Sequence, residues 1–357
     1  MSTYIIAEAG VNHNGDINLA KKLIDIAKQA NVDAVKFQTF KTNLIISKHA
    51  PKAKYQIENT GDSESQFDMI QKLELSFEQF KELKEYCDSC GIEFLSTPFD
   101  NESADFLIEE LGMETVKIPS GEITNGPFLL HLAKKGKKYI ISTGMASIGE
   151  IEEMLGVMAF GLLNLQQPPS KEAFKSAYSS LKGQELLKRH VVLLHCTTEY
   201  PAPMNDLNLL AMNSIKTAFN LSVGYSDHSL GIAIPLAATA LGATVIEKHI
   251  TYDKNAIGPD HKASLSPEEL KDMVKGIRDV ELALGSSVKF PSPSEIKNIF
   301  IARKSIVARN FIKKGEFYNE ENLSFKRPGT GLSPMNYWDL LGVSSDVDYD
   351  QDEEIKK

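Results

Sequence analysis

The residues best equipped for chemistry recur in one kind of place, at the ends of short apolar runs. The first run ends in Glu8, with Asn12-His13-Asn14-Gly15 just beyond, and the second carries Lys36, Gln38 and Thr39. Then come Ser96-Thr97-Pro98-Phe99, Lys117-Ile118-Pro119-Ser120-Gly121-Glu122 and Ser142-Thr143-Gly144-Met145. The last three runs end in His195-Cys196-Thr197-Thr198-Glu199-Tyr200, Ser226-Asp227-His228 and Glu247-Lys248-His249. Core packing can explain one such ending but not eight in register. Lys36 and Lys117 are compact point charges. With hydroxyls from Ser120, Ser142 and Ser226 they could cradle phosphate and carboxylate groups. Most lysines merely snorkel to solvent, but two on apolar runs ahead of Gln and Ser favour the cradle.

His228 and His249 close neighbouring runs, so their imidazoles could converge on one divalent metal. Manganese, cobalt, zinc and iron all suit two neutral imidazoles with open positions, and spacing does not choose among them. A lone histidine is usually structural; the pair is the stronger signal. Glu8, Glu122 and Asp260 stand at loop mouths, where a carboxylate could orient a metal-bound water or take its proton. Asp260 is the one most easily read as a solvated surface group. Cys87 and Cys90 have the spacing of a redox or zinc pair. No second such pair completes four ligands, and they end an amphipathic helix, so packing accounts for them.

The elements that must position these groups alternate. The apolar runs are 4–9, 34–38, 92–97, 115–118, 139–143, 191–196, 221–225 and 244–250. Between them lie segments of helical period such as 19–30, 77–90 and 266–284. Eight strand-then-helix units fit a (β/α)8 TIM barrel, whose chemistry gathers where strands end. A doubly wound sheet is the rival, weakened by the lack of a GxGxxG after the first strand. Residues 41–76 read as a polar, loop-like lid, and 156–190, broken by Pro168-Pro169, as an insertion. Whether 156–190 is functional or merely decorates the rim is evenly balanced. FPSPSE (290–295) reads as a linker dividing a barrel domain, 1–289, from a small β-rich domain, 290–357. There NFIKKGEF (310–317) weakly repeats as DYDQDEEI (348–355), which suggests two related short hairpins.

The chain has 357 residues, with 39 basic and 48 acidic side chains for a net charge of −9. That balance argues against general nucleic-acid binding, which needs clustered Lys and Arg. Three cysteines are too few for a disulfide scaffold, and no stretch reaches the roughly 20 apolar residues of a membrane helix. With no export signal visible, the expectation is a soluble, cytoplasmic protein.

The motifs IAEAGVNHNG, VKFQTF, STPFD, VKIPSGE, ISTGM, HCTTEYPAP, GYSDHS, EKHI and IGPDH, in that order, resemble those of the sialic acid synthase family. KRPGTGLSP (326–334) is similar to that family's small antifreeze-like (SAF) domain. The resemblance implies an enzyme that joins phosphoenolpyruvate to an open-chain N-acetylated aldose, giving a nine-carbon 2-keto acid and phosphate by C–O cleavage. It also implies that Lys36, Lys117, Ser120, Ser142 and Ser226 hold phosphoenolpyruvate, and that His228 and His249 bind manganese or magnesium. Glu122 becomes the expected proton acceptor, completing a catalytic set with Glu8 and the two histidines. Glu8, Gln38, Tyr200 and Asp260 would position the sugar and metal waters. Arg327 would reach into the neighbouring site of a domain-swapped homodimer.

Thr198 stands where synthases of N-acetylneuraminate typically have Asn. With the 156–190 insertion, this resembles the legionaminate branch, whose substrate is 2,4-diacetamido-2,4,6-trideoxy-mannose. N-acetylneuraminate synthesis from N-acetylmannosamine is the alternative, and pseudaminate synthesis a more distant one. Outside this family stand an ice-binding tail, a Schiff-base aldolase using Lys36, Lys117 or Lys248, and an inactive scaffold.

Overall fold

The computed structural model describes residues 2–61 and 63–356. Eight parallel strands form one sheet: β1 (Tyr4–Gly10), β2 (Ala34–Thr39), β3 (Glu93–Pro98), β4 (Thr115–Ile118), β5 (Lys138–Ser142), β6 (Val191–Cys196), β7 (Ser222–Asp227) and β8 (Val245–His249). Their order is β3-β2-β1-β8-β7-β6-β5-β4, and β4 packs beside β3, so the sheet all but closes on itself. The strands are short and almost wholly buried because both faces are covered, one by the barrel interior and one by helices. The helices start on polar caps written into the sequence. Ser76, Ser147 and Ser266 each accept from the backbone three residues on, while Gln79, Glu150 and Glu269 reach back to the cap N–H. Among the described residues, no helix is long and apolar enough to cross a membrane.

Residues 41–76 are not the loop their polarity suggests. They contain three short helices, Thr42–Ile45, Lys54–Thr60 and Gln66–Gln71, which shelter a small apolar cluster of Val11, Phe40 and Leu73 with Ile45, Ile70 and Phe99. The segment 156–190 is helical as well. It completes the helix Ile148–Leu162 and adds Lys171–Tyr178 and Leu181–His190 on the outside of the barrel.

The chain divides into two compact units, the first ending at Gly285 and the second beginning at Ser286. FPSPSE is a helix start rather than a linker. Ser292 is the cap of helix Pro293–Ala302, Pro293 takes its first position, and Glu295 accepts from the Ser292 N–H at 2.8 Å. The second unit adds two antiparallel strands, β9 (Ser305–Ala308) and β10 (Leu323–Lys326), over a core of Ile306, Ile312, Tyr318, Leu323, Tyr349 and Ile355. The two weakly repeated segments lie against each other through an Ile312–Tyr349 bridge. Their turns match: Glu316 accepts from the Lys313 N–H, and Glu353 from the Asp350 N–H, each at 3.0 Å.

Candidate active site

Strand register builds the site. Glu8 on β1 lies opposite Lys36 on β2 and His249 on β8, and Ser226 on β7 lies opposite Glu247 on β8. The side chains follow: Lys36 Nζ is 2.5 Å from Glu8, and Ser226 donates to Glu247 at 2.9 Å. Because side chains alternate along a strand, Glu247 and His249 share the inner face and Lys248 takes the other. There Lys248, fully buried, pairs with Asp227 at 2.5 Å. Lys248 is therefore removed from the chemistry, which deletes one of the three lysines considered for a Schiff base.

At the strand ends these groups surround a cavity of about 290 Å³. Its lining includes Glu8, Lys36, Gln38, Lys117, Ser120, Ser142, Thr198, Tyr200, Ser226, His228, His249 and Asp260. Glu247 joins them, 3.8 Å from Lys36 and 3.7 Å from Lys117. Lys117 also donates to Ser142 at 2.7 Å, and Lys36 to Thr97 at 3.0 Å. Burial alone would lower the Lys36 pKa, but the carboxylates of Glu247 and Glu8 outweigh it and hold the ammonium above its ordinary range. For Lys117 burial wins over Glu247, and the pKa falls. Burial likewise raises Glu8, whereas in Glu247 the two lysines overcome burial and keep the carboxylate ionised. The result is two ammonium groups flanking one buried carboxylate, poised to exchange part of that pairing for an anionic ligand.

His228 and His249 stand 5.6 Å apart between ring centres, with Tyr200 packed on both. The Thr197 carbonyl accepts from His228 Nδ1 at 2.6 Å, which fixes the neutral tautomer and leaves Nε2 as a lone-pair donor. His249 Nδ1 is buried without a hydrogen-bond partner, 3.8 Å from Asp260. Burial lowers both histidine pKa values, and burial with the charge of Glu8 pushes Asp260 up to about 7. Among the described residues no three His, Cys, Asp or Glu side chains stand ready as a complete metal site. Two neutral imidazoles with unused nitrogens and a nearby carboxylate nevertheless fit a hard-to-borderline divalent cation whose other positions go to water and substrate.

Two expected site residues fall outside the cavity lining. Glu122 ends the 3-10 turn Ser120–Glu122, half-buried, where its carboxylate accepts from Asn125 at 2.6 Å, one turn further on. Arg327 follows β10 in the second unit and is exposed. The 156–190 segment contributes nothing to this cavity. Its Lys171, Phe174, Lys175 and Tyr178 line a separate groove of about 430 Å³ on the barrel's flank.

A model described as the NeuB family matches residues 23–289. The chain belongs to the NeuB family. It is 54% identical to N,N'-diacetyllegionaminic acid synthase of Campylobacter jejuni over 355 residues, 99% of each chain. Identity to the synthase of the same name from Legionella pneumophila is 46%, across 96% of this chain and 90% of that one. Among solved structures, a Leptospira borgpetersenii N-acetylneuraminic acid synthetase in complex with citrate superposes with a TM-score of 0.66 at 34% identity. That match covers 84% of this chain and 90% of the other.

In this NeuB-family site Glu247, which the sequence places at the eighth strand end without a role, sits two residues before His249 on the same strand. The alternation rule supplied the signal, since whatever faces inward with His249 must include position 247. Gln56 and Ile70 were also missed, because the 41–76 segment offered no strand end to anchor them.

Proposed function

We propose that this chain is a phosphoenolpyruvate-dependent nonulosonic acid synthase that makes N,N'-diacetyllegionaminate from 2,4-diacetamido-2,4,6-trideoxy-mannose. The observation that carries the reading is one cavity holding both cradle lysines beside a neutral histidine pair. Lys36 and Lys117, with Ser120, Ser142 and Ser226, bind the phosphate and carboxylate of phosphoenolpyruvate. His228 and His249, with Asp260 beside them, hold the divalent metal, manganese or magnesium. When bound, that ion supplies Lewis-acid polarisation of the sugar aldehyde. Carbon 3 of phosphoenolpyruvate attacks the aldehyde carbon and forms the new C–C bond. Water adds to the carbon 2 cation, and the tetrahedral intermediate breaks its C–O bond to release phosphate and the 2-keto acid. Glu8, Gln38, Thr198 and Tyr200 position the sugar. Glu122 reaches the cavity as proton acceptor only by leaving Asn125, so Glu8, Glu247 and Asp260 are the carboxylates already in place.

The second unit reads as the antifreeze-like domain, and Arg327 as the residue it lends to a partner's barrel in a domain-swapped homodimer. The second unit leaves Met335 and Trp338 80% and 71% exposed, an apolar cost that a second copy of the chain would remove. Three free cysteines suit a reducing compartment, and the cytoplasm is the proposed setting.

The test is phosphate release from phosphoenolpyruvate with manganese, comparing the diacetamido sugar with N-acetylmannosamine. A kcat/KM preference for the former of about 100-fold or more supports the reading, the scale at which polar pockets discriminate. Preference for N-acetylmannosamine assigns N-acetylneuraminate synthesis instead, and trapping of a keto acid on Lys117 by borohydride assigns the aldolase.

A further inference from the structure

One polar side chain in the cavity has a hydrogen-bonding function that no part of the reaction above uses. Gln56, on the helix Lys54–Thr60, is 7% exposed and lines the cavity. Its Oε1 accepts from the Ala53 N–H at 2.9 Å and from Gln66 Nε2 at 3.3 Å. The Ala53 N–H can only donate, so the amide is oriented with its oxygen toward the helix start. That leaves the Nε2 group, a two-proton donor, without an acceptor among the described residues. The group is open to the cavity rather than sealed in the core, so its N–H bonds are available to an acceptor that enters, already aimed by the two bonds to Oε1.

The same cavity wall includes Val11, Ile70 and Phe99, all members of the small apolar cluster under the 41–76 helices. An N–H donor together with an apolar wall is complementary to an acylamino group, whose carbonyl accepts and whose methyl is apolar. We propose that Gln56 is a specificity-determining residue that donates to an N-acyl carbonyl of the sugar. The inference rests on the synthase reading and deepens it. A sugar with two acetamido groups brings two carbonyls, and an Arg327 fork would meet one of them, leaving the other for Gln56. Three other donors of the cavity already hold partners within it: Gln38 Nε2 with Glu8 at 3.1 Å, Lys36 with Glu8 and Thr97, and Lys117 with Ser142.

The experiment uses the full-length enzyme with manganese and phosphoenolpyruvate. Gln56→Glu keeps an oxygen for the Ala53 N–H and removes the donor; Gln56→Leu removes both. The sugars are the diacetamido substrate and its two analogues with one acetamido group replaced by hydroxyl. Both variants are expected to lose about 5- to 150-fold in kcat/KM for the diacetamido sugar, the range for one unsatisfied buried polar group. The phosphoenolpyruvate KM and, for Gln56→Glu, the Tm should not move. The loss should vanish for the analogue that lacks the acyl group Gln56 holds. Wild-type kcat/KM in Gln56→Glu, or an equal loss on all three sugars, overturns the inference. A wild-type enzyme that uses none of the three sinks the synthase reading itself.

Discussion

Gly144 should be irreplaceable, and the size of the penalty can be worked from its surroundings. A Cβ at this position would sit 2.3 Å from Thr198 Oγ1, 2.8 Å from Ser120 Oγ and 3.0 Å from Cys196 Sγ. Ordinary contact begins near 3.4 Å, so Thr198 must retreat by about 1 Å, and Ser120 by rather less. Both line the cavity. Overpacking of this kind costs about 1–3 kcal/mol, or roughly 2–10 °C in Tm for a unit of this size. The displacement matters more for activity, because a misplacement of about 1 Å among positioning groups costs on the order of 100-fold. Gly144→Ala is therefore expected to fold, melt a few degrees early and lose most of its kcat/KM in the phosphate-release assay. Adding Thr198→Ala removes the worst contact and should restore part of the Tm, a positive coupling of about 0.5–3 kcal/mol. Gly121→Ala, where nothing lies within 4 Å of the new Cβ, is the stability control. A Gly144→Ala enzyme with wild-type Tm and kcat/KM, or a double variant no more stable than the single, would refute the reasoning.

Asp227→Asn should destabilise by about 3–5 kcal/mol, because it strands the Lys248 ammonium in a site without solvent, while Asp227→Leu with Lys248→Met should recover most of the loss in urea unfolding. His13, fully buried, has its pKa pushed down to about 4 by burial, so the folded chain stays neutral there while the unfolded chain takes up a proton below about 6.5. Stability should accordingly be lost as pH falls from about 6.5 toward 4, by up to about 3 kcal/mol from this residue. His13→Asn, which keeps an acceptor for the Gly15 N–H, should flatten that slope in pH-dependent melts, and an unchanged slope contradicts the assignment. If Arg327 acts on the partner's barrel, Arg327→Ala and Lys117→Met proteins are each inactive alone. Unfolded together and refolded at equal ratio they should regain about a quarter of wild-type activity, since half the dimers carry one intact site of two; no recovery argues for sites built within one chain.

Where the sequence was legible, simple periodicities carried the information. The eight strands, the helix 77–90 and the strand-end residues followed from apolar runs, the helical period and the convergence of barrel strands at one face. Legibility failed where a local signal had two meanings. Pro and Ser in FPSPSE mark a linker or a helix start, and only the Glu three residues after Ser292 separates the two. The polar composition of 41–76 hid helices too short to show a period and stabilised by a cluster drawn from distant residues. Glu122 lies at a strand end like its neighbours, but the turn that follows Ser120 rotates its side chain away, a backbone detail that spacing does not encode. For Glu247 the inward direction was legible from its alternation with His249 but its role was not: a carboxylate between two lysines has no motif, and only the strand registers bring both lysines to it.

The division of labour around the cavity has a consequence for how such a protein can change. The groups proposed to bind phosphoenolpyruvate and metal sit on or next to barrel strands, whereas Gln56 and Ile70 hang from helices between β2 and the next barrel helix. A strand cannot gain or lose one residue without exchanging its inner and outer faces. The 41–76 segment is under no such constraint. It can lengthen, shorten or be replaced while the chemistry stays where it is. In this architecture the share of sugar choice proposed for Gln56 is heritable separately from the reaction, and a graft of residues 41–76 between two synthases should carry that share with it.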